Sequence, residues 1–387
     1  MLTSYKFRLY PNKEQKTLIH KHIGACRFIY NWALNLKIQT YEQTGKAISR
    51  FQLNKTITTL KKEFPWLKEI NSQSLQGATL NLERAFTNFF RKKSSFPKFK
   101  TKKHPRQSFQ IPQHYKLDWE NNKVFLPKIG WVKAKLHRKF KGEMKTATVS
   151  KTPTGKYFIS IIVEDGKPIP DKLDENLRFS LLSTPSEFRQ PFDEKTTIGI
   201  DLGITHFCIL SNGEKIDNPK HLKKSLQRLK VLQKRLSRKQ KGSKNREKAR
   251  LKLAKLHEKI VNQRNDFQHK LSSKLIGENQ AIALEDLNIK GLVKNHHLAQ
   301  SILDVAWSSF VSKLMYKAEK FGKTIIKIGR FEPSSKICSV CGYYNNSLEL
   351  KDRVWKCPAC NTEHDRDVNA AVNIKKFALD RQNLIGL

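Results

Sequence analysis

The sequence contains no run of eighteen apolar residues, the length that a helix needs to cross a bilayer. Its opening stretch, MLTSYKFRLYPNKEQ, also lacks the apolar middle segment of a secretory signal. Both absences disfavour membrane-spanning and secreted proteins, so we expect a soluble, cytoplasmic chain. Apolar residues still make up 38% of the 387 positions, which is enough for more than one folded core.

Acidic residues are scarce, because 34 Asp and Glu face 75 Lys and Arg, for a formal net charge of +41. Such an excess repels itself in a folded chain unless a polyanion covers it. A polybasic membrane binder is the alternative, but its charge gathers beside an apolar anchor, whereas here the charge is spread along the chain. We therefore expect nucleic acid as the partner and no membrane association.

Cysteine is rare as well, and four of the six cysteines form two C-x2-C pairs, Cys338/Cys341 and Cys357/Cys360. A disulfide scaffold does not suit so long a chain from a reducing compartment. Two such pairs, fifteen residues apart, can place four thiolates tetrahedrally around one zinc ion. A shell closed by four thiolates is structural rather than catalytic. His364 is a competing ligand, but it lies outside both pairs, and we leave it out of the set.

The spacing of apolar residues divides the chain into regions. SYKFRLYPNKEQ alternates like a strand, and helical spacing follows in two stretches that end before the basic segment FPKFKTKKHPRQSF. From residue 109 to residue 165 the period is close to two, which predicts a small β-barrel. Residues 166–195 lack sustained periodicity and predict a linker. From TTIGIDLGITHFCIL onward, apolar strands alternate with helices, as is typical of an α/β core.

A long basic element lies between Lys220 and Lys274, with 20 Lys and Arg against three acidic residues. Two leucine-rich stripes with helical spacing are interrupted by KGSKN at 241–245, which predicts a two-helix hairpin. A solvated face would carry charges of both signs, whereas this one-sided charge favours a surface that lies along phosphates.

Three carboxylates occupy positions suited to metal-dependent chemistry. Asp201 and Glu285 each end an apolar strand, and Asp367 opens the last helix, in HDRDVNAAVNI. Taken singly, each is as well explained as a surface charge or a helix cap, and Asp365 is a second candidate cap. Taken together, they match two-metal phosphodiester cleavage, in which Mg²⁺ binds carboxylate oxygen and activates water.

IGIDLGIT, residues 198–205, also resembles the phosphate-binding strand and hairpin of the actin and Hsp70-type ATPases. Those proteins need a second glycine-rich phosphate loop and a glycine cluster that binds adenosine. The chain has only 17 glycines and no cluster of them after residue 213, which disfavours an ATPase.

Several motifs resemble the TnpB (OrfB) proteins of bacterial insertion sequences, the presumed ancestors of type V CRISPR effectors. The motifs, in the order and spacing of that family, are KFRLYPNKEQ, CRFIYNWAL, FPKFKTKK, IGIDLGIT, ALEDLNIKGL, PSSKICSVCG, KCPAC and HDRDVNAAVNI. The resemblance spans nearly the whole chain. It implies an RNA-guided DNA endonuclease that cuts target DNA beside a short transposon-associated motif.

The resemblance implies an α/β plus β-barrel fold: an oligonucleotide-binding-type wedge barrel with a helical recognition insert, then an RNase H-like (RuvC) nuclease domain with an inserted zinc ribbon. The boundaries we expect are 1–10 and 106–170 for the wedge barrel, 11–105 for the recognition domain, 171–195 for the linker, 196–330 and 364–387 for the nuclease, and 331–363 for the zinc ribbon.

The resemblance also implies the site chemistry. Asp201, Glu285 and Asp367 match the three RuvC acids, which would hold two Mg²⁺ ions with Mn²⁺ able to substitute, and one Zn²⁺ would be structural. Asp365 is disfavoured as the third acid, because the family places that carboxylate two residues before the Asn of the NAA segment, here Asn369.

The implied partners are a guide RNA from the transposon end and a double-stranded DNA target, in a nucleoid-associated setting; the oligomeric state is left open. Two alternatives remain, a guided DNA-binding protein without productive cleavage and a DNA transposase. The basic residues that we expect to contact nucleic acid are Lys92, Lys93, Lys98, Lys100, Lys223, Lys230, Lys234 and Arg238.

Overall fold

The computed structural model describes residues 1–105, 107–168, 193–330, 332–349 and 351–384. The chain forms two compact units, Met1–Pro168 and Ile169–Leu387. Most of the predicted linker, 171–195, lies outside the described residues. Its last three residues, 193–195, are described, and there Asp193 caps a short 3-10 helix, Glu194–Thr196.

The first unit contains a seven-stranded antiparallel sheet of β1 (Leu2–Tyr10), β2 (Gln107–Ile111), β3 (Lys116–Asp118), β4 (Lys123–Leu126), β5 (Gly130–Lys135), β6 (Glu143–Lys151) and β7 (Tyr157–Glu164). Their order in the sheet is β2-β6-β7-β1-β5-β4-β3. The N-terminal strand is central because β1 pairs with β7 on one side and with β5 on the other. The edge strands β2 and β3 do not pair with each other in the described part of the chain, so the sheet is open where we predicted a barrel.

Helices occupy the chain between β1 and β2, as the apolar spacing predicted. They are α1 (Lys13–Thr44), α2 (Arg50–Glu63), the 3-10 helix Pro65–Glu69 and α3 (Ser72–Phe90). Asn12 and Gln15 form a capping box at the start of α1, and Gly45 ends it at φ +65°, a left-handed conformation that glycine adopts without strain. Ile19 and Leu34 of α1 and Leu75 of α3 are fully buried in one core with the alternate residues of β1 and β7.

The second unit is built on a five-stranded sheet of β8 (Thr197–Asp201), β9 (His206–Leu210), β10 (Lys215–Asp217), β11 (Ala281–Glu285) and β12 (Thr324–Ile328). Their order in the sheet is β10-β9-β8-β11-β12. Strands β8, β11 and β12 are parallel, and β9 and β10 continue the sheet as antiparallel strands. Strands β8 and β11 are buried up to their last residue because helices cover both faces of the sheet there.

The described part of this unit contains the helices α4 (His221–Ser237), α5 (Lys244–Glu278), α6 (Ile289–Leu292), α7 (His296–Val305), α8 (Trp307–Phe321) and α9 (Arg366–Leu384). Helices α5 and α8 bury Leu275 and Phe310 against one face of the sheet. Helix α9 buries Ile374 and Ala378 against the other face, beside Ala283 and Ile328. None of the described helices is long and apolar enough to span a membrane.

The predicted two-helix hairpin is confirmed by α4 and α5, which we call the basic hairpin. Ser243, within the predicted break, accepts a hydrogen bond from the Arg246 backbone N–H and caps α5. The two helices are held together by a small apolar cluster of Leu229, Leu256 and Ile260. Most other side chains of α4 are exposed, so its lysines and arginines face solvent.

A small module interrupts the α/β order between β12 and α9. It has little regular structure besides a two-stranded antiparallel sheet of β13 (Val354–Lys356) and β14 (Glu363–Asp365). Its core consists of Leu348, Trp355 and cysteine side chains. We call the described residues from 332 to 365 the cysteine module. Strand β14 leads directly into α9.

Candidate active site and cysteine cluster

The three predicted carboxylates lie at one edge of the second sheet. Asp201 ends β8 and Glu285 ends the neighbouring parallel strand β11, where Ile200 is paired with Leu284. Parallel strands point their carboxyl ends the same way, so the residues that follow this pair lie side by side. Asp367 lies in the first turn of α9, which packs across β8. We call these three residues the acidic site.

The pKa of Asp201 responds both to burial and to the other two acids. Burial raises the pKa of Asp201 to about 7, and the negative charges of Glu285 and Asp367 add to the shift. The charges of Glu285 and Asp367 therefore disfavour ionisation of Asp201 unless a cation lies between them. The donors are hard carboxylate oxygens, the ligands that Mg²⁺ prefers, so the residues present fit a divalent cation.

Asp365 serves as a helix cap. Its Oδ1 accepts hydrogen bonds from the backbone N–H groups of Asp367, at 3.1 Å, and Val368, at 3.0 Å. Its Oδ2 pairs with the Lys215 ammonium at 2.5 Å. A carboxylate held in this way satisfies the free donors at the start of α9 and presents Asp367 from a fixed first turn.

The rim of the acidic site carries basic residues that the sequence reasoning missed. Arg353 approaches Asp367 with 3.5 Å between Nη1 and Oδ1, and Arg330 pairs with Asp286 at 2.8 Å. An open pocket of about 280 Å³ beside Glu285 is lined by Asp286 and Arg330 among others. Periodicity could not have found these arginines, because each lies outside the strands and helices.

The four predicted zinc ligands are brought together. Their sulfur atoms all lie within 4.8 Å of one another, and we call the four residues the cysteine cluster. Cys338 and Cys360 are 3.6 Å apart at sulfur, as are Cys341 and Cys357. Four thiolates at about 2.3 Å from a tetrahedral zinc ion would be about 3.8 Å apart, so the spacing fits zinc without an open position.

His364 contacts the cysteine cluster, although it lies outside both C-x2-C pairs. Its Nε2 is 3.0 Å from the sulfur of Cys338, and its ring packs on Trp355 with centroids 4.9 Å apart. Four thiolates are enough to fill the coordination shell of a zinc ion, so His364 contacts a ligand sulfur from outside the cysteine cluster. Spacing alone did not reveal this contact, because it depends on the pairing of Trp355 with His364 across β13 and β14.

Two asparagines fasten the cysteine module to helix α9. Asn369 accepts a hydrogen bond from the Ser339 backbone N–H at 2.9 Å and donates to the Ile337 carbonyl at 2.7 Å. Asn373, one turn later, donates to the same carbonyl at 2.6 Å and is almost fully buried. The backbone that carries Cys338 is therefore held by the helix that carries Asp367.

The predicted nucleic-acid contacts fall in both units. Lys92, Lys93 and Lys98 are exposed in the segment after α3, whereas the ammonium of Lys100 lies 3.8 Å from the Tyr30 ring centroid. The contacts predicted on the basic hairpin, all exposed, are Lys223, Lys230, Lys234 and Arg238. Their roles in binding stay predictions.

Comparisons with known proteins place the chain in a family. The OrfB family model described as "Probable transposase" matches residues 178–296, a "Cas12f1-like, TNB domain" model matches 307–374, and a "Helix-turn-helix domain" model matches 1–46. A Streptomyces pristinaespiralis protein is 37% identical over 379 residues, covering 96% of this chain and 88% of its own. The chain belongs to the OrfB (TnpB) family. That Streptomyces relative carries the provisional name RNA-guided DNA endonuclease.

Other members of the OrfB family agree. The Escherichia coli (strain K12) protein InsQ, with the same provisional name, is 32% identical over 390 residues, covering 96% of this chain and 91% of InsQ. In the part matched as a helix-turn-helix domain, this OrfB chain has one strand followed by one continuous helix, α1.

A solved structure shares the fold. The Cas12f1 chain in a cryo-EM complex with sgRNA and target DNA has a TM-score of 0.56 and 15% identity, covering 97% of this chain and 98% of that one. The RuvC-containing fold that we predicted is confirmed at this level, with an open half-barrel sheet in place of the closed barrel.

Proposed function

We propose that this OrfB protein is an RNA-guided DNA endonuclease of an insertion sequence, which cuts target DNA beside a short transposon-associated motif. The observation that carries the proposal is the convergence of Asp201, Glu285 and Asp367 at one sheet edge, where burial of Asp201 and the charges of the other two acids raise its pKa to about 7. Family membership supports it, since the Streptomyces and Escherichia relatives are provisionally named RNA-guided DNA endonucleases.

The acidic site would hold two Mg²⁺ ions, or Mn²⁺ in their place. When bound, the ions supply an activated water and stabilise the leaving 3′-oxygen of a phosphodiester. Asp201 and Glu285 present their oxygens from two rigid strands, and Asp367 does so from the capped turn of α9. Near neutral pH the raised pKa leaves Asp201 partly protonated, so its carboxyl must lose that proton to become a ligand.

The cysteine cluster would hold one structural Zn²⁺. Four cysteines leave no position for water, so the cluster would shape the chain instead of reacting. In family terms, residues 331–363 would be the zinc ribbon and 196–330 with 364–387 the nuclease. The seven-stranded sheet, within 1–10 and 106–170, would be the wedge, and 11–105 the recognition domain.

The partners would be a guide RNA from the transposon end and a double-stranded DNA target in the nucleoid of a bacterial or archaeal cell. The net charge of +41 and the exposed lysines of the basic hairpin support binding along phosphates. Sequence would be read by base pairing, while the protein holds the backbone and reads the short flanking motif.

The test is cleavage of a plasmid library by the protein purified with RNA from its own locus. The plasmids carry the matched target beside a randomised sequence, and the reactions contain either Mg²⁺ or EDTA. We expect cuts beside one short motif, with Mg²⁺ only. Asp201→Ala and Asp367→Ala should abolish cutting and keep guided binding, whereas Asp217→Asn, at a side chain that is 91% exposed, should cut normally.

Two other outcomes would replace the proposal. Guide-dependent retention of the matched plasmid without cutting, by wild type and variants alike, would make the protein a guided DNA binder. The family description "Probable transposase" makes a DNA transposase the second candidate function. Strand transfer of transposon-end DNA without RNA would establish that the protein is a transposase. We disfavour a transposase because the cysteine module lies between the second and third acids.

A further inference from the structure

A serine of the cysteine module contacts the acidic site directly. The Ser334 hydroxyl donates a hydrogen bond to Glu285 Oε1 at 2.7 Å, although the two residues are 49 positions apart in the chain. Ser334 is 5% exposed, and it precedes Cys338 by four residues. A short hydrogen bond from a buried hydroxyl to a carboxylate is of the stronger, charge-assisted kind.

Ser334 is itself held in place by the helix of the third acid. The Asn373 side-chain amide, only 2% exposed, donates to the Ser334 carbonyl at 2.7 Å and to the Ile337 carbonyl at 2.6 Å. The Ser334 backbone N–H donates to the Glu332 carbonyl at 2.8 Å. Ser334 is therefore fixed from both sides, and its hydroxyl direction follows from the docking of the cysteine module on α9.

We propose that Ser334 is a positioning residue for Glu285, supplied to the acidic site by the cysteine module. A glutamate side chain has several rotatable bonds, and ordering it for a cation costs entropy that a prior hydrogen bond reduces. The Ser334 hydroxyl occupies one lone pair of Oε1 and leaves Oε2 for a cation. Hydrogen bonds to a metal-binding carboxylate orient it and tune its affinity.

This inference rests on the proposed function in one respect, namely that Glu285 binds a catalytic cation. The juxtaposition also explains why a cysteine module lies between the second and third acids, since its chain joins Glu285 of β11 to Asn373 of α9. A purely structural role for Ser334 would leave cation affinity unchanged, because the backbone contacts of Ser334 do not need its hydroxyl.

The test measures Mn²⁺ binding to the purified, zinc-loaded full chain by isothermal titration calorimetry, without nucleic acid. Ser334→Ala should weaken Mn²⁺ binding about tenfold or more, as expected for loss of a hydrogen bond to a metal ligand. Ser334→Thr keeps the hydroxyl and should restore most of the affinity. Ser335→Ala is the matched control, since Ser335 donates no hydrogen bond to Glu285 in the described structure, and should bind as wild type.

Two results would overturn the proposal. The first is a Ser334→Ala protein that binds Mn²⁺ with wild-type affinity. The second is that Ser334→Ala lowers Mn²⁺ affinity by the same factor in the Glu285→Gln background as in wild type, because the hydroxyl would then not act through Glu285. If Ser334→Ala does not yield folded protein with one zinc, Ser334→Cys replaces it, since a thiol of similar size is a poor donor and the same loss is expected. Mn²⁺ affinity is measured without DNA, so it does not depend on cleavage. A wild-type protein that fails to cut DNA would refute the proposed function, whereas the effect of Ser334→Ala on Mn²⁺ affinity would still be measurable.

Discussion

A methyl group added at Gly199 should displace helix α9, which carries Asp367 of the acidic site. Gly199 lies in β8, two residues before Asp201, under helix α9. A Cβ at this position would lie 2.1 Å from the Ala371 carbonyl oxygen and 2.8 Å from the Lys375 backbone nitrogen. Ordinary contacts of a Cβ are 3.4–4 Å, and both neighbours are backbone atoms, so α9 as a whole must move by more than about 1 Å.

We expect Gly199→Ala to lower the free energy of unfolding of the second unit by about 3 kcal/mol, the upper end for overpacking, because no side-chain rotation relieves the clash. Since α9 carries Asp367, cleavage should fall about a hundredfold, the scale expected for a catalytic group displaced by 1 Å. Urea-induced unfolding, hydrogen exchange of α9 peptides and plasmid cleavage measure these effects.

The matched control is Gly277→Ala, in the exposed last part of α5, where an added Cβ meets nothing within 4 Å. Alanine replaces glycine in a helix, so this variant should be more stable than wild type by about 0.5–1 kcal/mol and should cut normally. A Gly199→Ala protein with wild-type stability and cleavage would refute the close packing of α9 on β8.

The remaining predictions concern charge and metal. Without divalent cations, Asp201→Asn should stabilise the chain little near pH 4 and by about 4 kcal/mol near pH 8, because the folded pKa of about 7 exceeds the unfolded 3.8 and the stability of the wild type is lost as pH rises between them. Equal gains at both pH values in urea unfolding would contradict this. Cys357→Ser should release zinc and speed hydrogen exchange of the cysteine module; full zinc content after dialysis would refute it. Lys230→Glu with Lys234→Glu should weaken guide RNA binding and lower the salt slope by about 0.7 per lost contact, and an unchanged slope in filter binding would remove both from the interface.

Features that depend on neighbours along the chain were predictable from the sequence. The C-x2-C spacing predicted four thiols around one point, and the two leucine stripes with KGSKN between them predicted the basic hairpin. The acidic site was predictable in part, because Asp201 and Glu285 end apolar strands and parallel strands end at one edge. Each inference needs only local spacing and one rule of sheet geometry.

Contacts between residues far apart in sequence were decided by the tertiary structure alone. Alternating apolar residues predict strands but not closure, because closure depends on whether edge strands meet, and here β2 and β3 do not pair. Gly199 is one glycine among seventeen until α9 lies on it, and Ser334 is an ordinary loop serine until folding places it 2.7 Å from Glu285. Hydrogen bonds and packing act over a few ångströms, so they depend on which surfaces the fold brings together, and the periodicity of one segment carries no record of its distant partner.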